Sequence, residues 1–170
     1  MLMCLVGYSG CGKNTIADAY MKEYPGRFDK VVDVSDLVKK LSKQDESKLG
    51  EDLRENESLM SMLLNETTKN SIVIGIRENY LITSLKKKYD NKVMTVYLSC
   101  PEEIRFSRIL NSRDITFNQL IEKDIVEREI GLSQVVNGKH IDYVCPTIQN
   151  PEYAIRQISV YCSNFKEVKK

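Results

Sequence analysis

At 170 residues, with 42% hydrophobic and 29% charged side chains, the chain has the size and composition of one soluble globular domain with a full core. Its 25 basic residues nearly balance 24 acidic ones, so no global field attracts duplex nucleic acid and any polyanion must be recognised locally. Five cysteines without CxxC spacing argue against a disulfide framework or zinc site, the single His140 argues against a histidine triad, and no apolar run of roughly 18 residues exists to span a membrane. The opening MLMCLVGYSG has neither the basic start nor the long apolar run of a secretion signal, so a cytoplasmic location is expected.

Residues 2–6 form a wholly apolar run, as in a central parallel strand buried on both faces. A loop over residues 7–12 then opens a helix over 13–23, with Ile16, Ala17, Ala19 and Tyr20 at helical spacing and Pro25–Gly26 ending it. Residues 30–34 read as a second strand, and Ser35 or Asp36 can cap the helix that follows. The polar, acid-rich stretch 44–57 reads as a solvated surface excursion, and 59–64 as helical. Residues 71–76 and 92–98 are expected strands, 101–112 and the highly charged 117–131 expected helices, 141–145 a fifth strand and 153–165 a closing helix. This alternation predicts a single three-layer α/β/α domain over residues 1–170, with a five-stranded parallel sheet. Ligands of such sheets lie outside the carboxyl ends of the strands.

The segment Gly7-Tyr8-Ser9-Gly10-Cys11-Gly12-Lys13-Asn14-Thr15 follows a strand, opens a helix and fits the P-loop pattern GxxxxGK. Glycines let backbone N–H groups turn inward, the helix N-terminus adds positive potential, and Lys13 reaches the β- and γ-phosphates of a nucleoside triphosphate, expected to be ATP. Ser9, Gly10, Cys11, Gly12, Asn14 and Thr15 complete the expected phosphate site. Asn14 stands where a hydroxyl residue commonly ligates Mg2+, leaving Thr15 to bind a phosphate oxygen or a magnesium-bound water. Cys11 lies inside the loop, where the helix dipole and a bound cation are expected to lower its pKa, although in-line phosphoryl transfer needs no nucleophile. His140, beside Lys139 in a polar turn, is expected to be exposed.

No guanine-reading NKxD occurs: the Asn91-Lys92 pair continues into Val93-Met94. The strand ending at Ile76 carries no acidic pair of the kind motor and recombinase ATPases use, and runs directly into Arg77. A kinase instead needs cations that clamp a second phosphate. Four segments together carry a family resemblance: the loop with a non-hydroxyl residue after its lysine, Val34-Ser35-Asp36-Leu37-Val38-Lys39, Gly75-Ile76-Arg77, and residues 101–108 continuing to Arg113, Asp114, Asp124, Glu127 and Arg128. The chain thereby resembles the P-loop nucleoside monophosphate kinases, including dephospho-coenzyme A kinases and virus-encoded deoxynucleoside monophosphate kinases.

The resemblance implies ATP with Mg2+ as donor and a small phosphorylated acceptor as partner, in a monomer or homodimer. It implies that Asp36, Lys39 and Arg77 hold the acceptor and that a helical lid within about residues 105–131 closes Arg108, Arg113 and Arg128 over the phosphates. Catalysis would then rest on Lys13, Arg77, Arg108 and Arg113. The loop after the last strand, with Pro146 and Thr147, would hold the purine. Ile74 stands where that family has an aspartate, so Thr15 and Asp33 are the candidates for the metal, through water. Two other readings stay open: a different metabolite as acceptor, or a nucleotide-binding protein with weak transfer, to which Ile74 and Asn14 point.

Overall fold

In the computed structural model the residues described are 1–44, 57–112 and 114–168. Among them, strands β1 (Leu2–Val6), β2 (Lys30–Asp33), β3 (Ser71–Ile74), β4 (Val93–Ser99) and β5 (Tyr143–Pro146) form one sheet in the order β2-β3-β1-β4-β5. Every pairing is parallel. The central strand β1 is buried along its whole length, as its unbroken apolar sequence requires.

The two-residue period of a strand sends alternate β1 side chains into different cores. Leu2, Cys4 and Val6 join residues of α2 (Val34–Gln44), α3 (Glu57–Glu66), α4 (Asn79–Tyr89) and α7 (Ser133–Val136) on one face. Met3 and Leu5 join residues of α1 (Lys13–Glu23) and α8 (Pro151–Val168) on the other. A third, small cluster of Phe106, Ile109 and Leu120 joins α5 (Glu102–Ser112) to α6 (Phe117–Glu127). The expected α/β/α architecture with a five-stranded parallel sheet is therefore the observed one.

Local differences have local causes. The second strand stops at Asp33, whose Oδ1 accepts from the Ser35 backbone N–H at 2.8 Å, so Asp33 caps α2 where Ser35 or Asp36 was expected to. β3 ends at Ile74 because Gly75 takes φ 77° and turns the chain. Helix α4 was not foreseen: its N-cap, Glu78, makes no side-chain capping bond, so its start carries no usual signal. The helix expected over 117–131 ends at Glu127, and the turn Arg128–Leu132 that follows is kinked at Gly131, whose φ is 109°. The expected excursion over 44–57 falls almost wholly outside the described residues. No helix of the described residues is long and apolar enough to cross a membrane, and all five cysteines are free thiols.

Candidate active site

The P-loop runs from the end of β1 into α1 with Gly10 at φ 80°, a region L-residues rarely adopt. A Cβ there would lie 2.6 Å from the Arg105 carbonyl oxygen, so α5 packs directly on the loop. Lys13 curls back over its own loop, its Nζ donating to the Gly7 and Tyr8 carbonyls at 2.6 and 3.0 Å. That posture holds the ammonium over the loop, from which it can reach a phosphate.

The loop opens onto a cleft of about 890 Å³. Ser9, Gly10, Gly12, Lys13, Asn14 and Thr15 line it from the loop and the first turn of α1. Asp33, Asp36, Lys39 and Arg77 line it from the ends of β2 and β3 and from α2, and Arg108 and Lys123 from α5 and α6. The structure thus gathers most of the residues singled out from the sequence.

Their states differ. Lys39 is exposed and pairs with Asp36 at 2.9 Å, a hydrogen bond and charge that raise the lysine's pKa. Arg77 is largely covered and its Nη2 donates to Glu127 Oε1 at 2.8 Å. Arg108 donates from Nη2 to the Thr147 carbonyl at 2.6 Å. A Cβ on Gly75 would meet Asp33 Oδ1 at 2.7 Å, so this glycine leaves room for the carboxylate.

Other expected residues lie elsewhere. Cys11 is fully buried and does not line the cleft; it contacts a smaller cavity of about 160 Å³ with Thr15, Arg108, Thr147 and Pro151. Burial raises its thiol pKa and outweighs the opposing effect of Lys13, so the expected lowering is overturned. Thr147 joins that cavity, its N–H donating to Ser99 O at 2.8 Å, whereas Pro146 is exposed and lies outside its lining. Arg128 points away from the cleft and pairs with Glu102 at 3.4 Å, with half its side chain exposed. Arg113 lies outside the described residues. His140 is half-buried where exposure was expected, and it lies outside the cleft.

A buried charge network joins α5 and α6 to the P-loop and Arg77. Arg105, Asp124 and Glu127 are 4%, 3% and 2% exposed. Arg105 grips Asp124 through both guanidinium nitrogens, at 2.9 and 2.5 Å, and donates to Ser9 O at 2.9 Å. Glu127 accepts from Ser9 N at 2.9 Å, Ser9 Oγ at 2.6 Å and Arg77. Burial alone would push the Glu127 carboxyl up, but Arg77, the two Ser9 hydrogen bonds and Lys13 together hold it below its ordinary value. The spacing Leu120, Asp124, Glu127 was the available signal, since i, i+4, i+7 places all three on one helical face.

The donor set suits a magnesium nucleotide. Thr15 and Asp33 line one cleft with Lys13, and no group of three or more His, Cys, Asp or Glu residues among those described makes a protein-only cage. Mg2+ is commonly held by one or two carboxylates, substrate phosphates and retained waters.

The fold is similar to that of shikimate kinase from Aquifex aeolicus, at 16% identity and TM-score 0.64, with 96% of this chain and 97% of that one covered. A gluconokinase from Sinorhizobium meliloti is similar at 13% identity and TM-score 0.70, covering 97% and 93%. A shikimate kinase from Bacteroides thetaiotaomicron matches at 14% identity and TM-score 0.67, covering 96% and 98%. At these identities the likeness is one of fold, and none of the three is a nucleoside monophosphate kinase. No curated protein matches the chain. A family model described as an AAA domain matches residues 3–130, from β1 to the turn after α6 and well over half of the sequence. With the P-loop at its start and this fold around it, the chain belongs to the AAA domain family.

Proposed function

We propose that the chain transfers the γ-phosphoryl group of ATP to a small phosphorylated acceptor, with nucleoside and deoxynucleoside monophosphates as the acceptor class. The observation that carries this reading is the single cleft that Lys13 of the P-loop shares with Arg77, Lys39 and Arg108. Two clusters of phosphate charge meeting in one site need cations from both sides.

The loop N–H groups and the α1 N-terminus bind the donor phosphates, and Lys13 exchanges its carbonyl partners for phosphate oxygens. Arg77 and Lys39 hold the acceptor phosphate. Arg108 lines both the large cleft and the smaller cavity, a place from which it would have the triphosphate on one side and the base near Thr147 on the other. Thr15 and Asp33 would hold Mg2+ through its waters, and the ion would neutralise charge on the β- and γ-phosphates. The α5–α6 segment, within the lid expected over residues 105–131, excludes the water whose attack would waste ATP. No covalent intermediate is needed.

One observation favours a second reading, an acceptor hydroxyl on a small carboxylic acid. Asp33 and Arg77 line the same cleft; a carboxylate there can accept the hydroxyl's hydrogen bond, and a guanidinium binds a carboxylate as readily as a phosphate. Both readings are tested by acceptor-dependent ADP release across a panel of nucleoside monophosphates, dephospho-coenzyme A, shikimate and gluconate. Turnover with a monophosphate supports the first reading and turnover with a hydroxy acid the second. Tight ATP binding without turnover on any acceptor refutes both and leaves a nucleotide-binding protein. Arg77→Ala should raise the acceptor KM and spare ATP binding, whereas Lys13→Ala should abolish both.

A further inference from the structure

Helix α6 departs from the usual division of a helix into apolar and charged faces. Phe117, Ile121 and Ile125 are 53%, 39% and 45% exposed, while Asp124 and Glu127 are buried. Burying carboxylates is costly unless each is paired and hydrogen-bonded, so packing alone does not explain a helix that hides two of its three acids while these apolar residues stay exposed. The partners explain it. Ser9 is tied to this region by all three of its polar atoms, N and Oγ to Glu127 and O to Arg105. The carboxylate that takes Ser9 also takes Arg77.

Ser9 and Arg77 line the cleft but Glu127 does not, so the carboxylate stands behind both and blocks neither. The chain after Glu127 reinforces the hold. Gly131 approaches Arg77 so closely that a Cβ would lie 3.2 Å from its carbonyl oxygen, and the Ser133 hydroxyl lies 3.4 Å from that of Tyr8. One segment, from Glu127 through the kink at Gly131 to Ser133, therefore touches the P-loop and Arg77 together.

We infer that Glu127 is a positioning residue, a single carboxylate that fixes Ser9 on the donor side and Arg77 on the acceptor side at a set separation. The inference rests on the proposed phosphoryl transfer. Arg77 then acts on the acceptor only as well as Glu127 aims it, and α6 sets the distance between the two phosphate sites.

The test uses the full chain with Glu127→Gln, which keeps size and an acceptor oxygen but removes the charge, and Glu127→Asp, which keeps the charge and shortens the reach. Glu127→Gln should lower kcat/KM for the acceptor by about 10- to 100-fold, while the calorimetric Kd for ATP changes less than about threefold. In an Arg77→Ala background the same substitution should lower acceptor kcat/KM much less than it does in wild type, since its effect on the acceptor passes through Arg77 and only the hold on Ser9 remains. Glu127→Asp should fall between wild type and Glu127→Gln, and it reads the same effect if the glutamine variant does not fold. Additive losses in the double variant, or an equal loss of ATP affinity, would overturn the inference and mark a purely structural acid.

Failure of the kinase reading looks different, as wild type would then turn over no acceptor. Positioning is still readable from the Arg77 side-chain Nε–Hε signal in 15N-labelled protein, assigned by its loss in Arg77→Lys. That signal should be sharp and slow to exchange in wild type and averaged with solvent in Glu127→Gln. An unchanged signal overturns the inference without any enzyme assay.

Discussion

Asp33 is the register partner of Ile74 across the β2–β3 pair. The carboxylate that the end of β3 lacks is thus supplied one strand over, at the same height in the sheet and inside the same cleft. If Asp33 acts through magnesium-bound water, Asp33→Asn should weaken ATP binding by about tenfold with Mg2+ present and leave binding in EDTA unchanged, as expected for an outer-sphere contact. Calorimetric titrations under both conditions decide it. No weakening in either would assign Asp33 to capping α2 alone, since asparagine caps a helix as well as aspartate does.

Arg108 lines both cavities and donates to Thr147 O, so one guanidinium joins α5 to the loop after β5. Arg108→Ala should raise the Kd for ATP by roughly tenfold, the scale of a hydrogen bond to a charged group. Inorganic triphosphate, which has no base to place beside Thr147, should lose less than ATP. Arg108→Lys should not restore the difference, because an ammonium lacks the planar fork that serves two partners at once. Equal losses for ATP and triphosphate would confine Arg108 to the phosphates.

How far the sequence reveals this site depends on how local each feature is. The P-loop is contiguous, and its glycines, its lysine and the apolar strand before it announce one another within fourteen residues. Arg77 is legible because it lies three residues past the end of a parallel strand, which must deliver the chain to the carboxyl edge of the sheet. The Ser9–Glu127 contact spans 118 positions in sequence, and the local spacing that puts Glu127 on one helical face with Leu120 does not say which residues its carboxylate meets. A charged helix ordinarily turns its charges outward; α6 instead buries Asp124 and Glu127 beside Leu120, so the rule that usually identifies the buried face misplaces these two acids. Arg128 shows the converse, an arginine within the expected lid that simply pairs at the surface with Glu102.

The Arg105–Asp124 pair is buried on both sides, with Arg105 also stacked 5.1 Å from the Tyr8 ring centroid. Asp124→Ala leaves that guanidinium without its bidentate partner and should cost about 3–5 kcal/mol. At this chain length such a loss lowers Tm by roughly 6–20 °C. The double change Arg105→Met with Asp124→Leu should recover part of it, since an apolar pair carries no desolvation penalty. Thermal melts of the three variants check this, and a single-variant shift of only one or two degrees would show that solvent reaches the pair.

Glu127 also leaves a signature in acid. Its folded-state pKa is depressed, so between that value and the unfolded value of about 4.3 the unfolded chain binds more protons than the folded one. Stability therefore rises with pH across this window. The contribution of Glu127 is complete above the unfolded value and is lost as pH falls through the folded one. Wild type should accordingly lose more stability than Glu127→Gln as pH drops from about 5 to about 3, and the two should converge at the acid end. Urea midpoints measured across that range give the comparison directly. Convergence would show that the ionised carboxylate is what Ser9 and Arg77 bind. Parallel curves would show that protonation costs these bonds nothing, and that the electrostatic hold on Arg77 is weaker than its 2.8 Å contact implies.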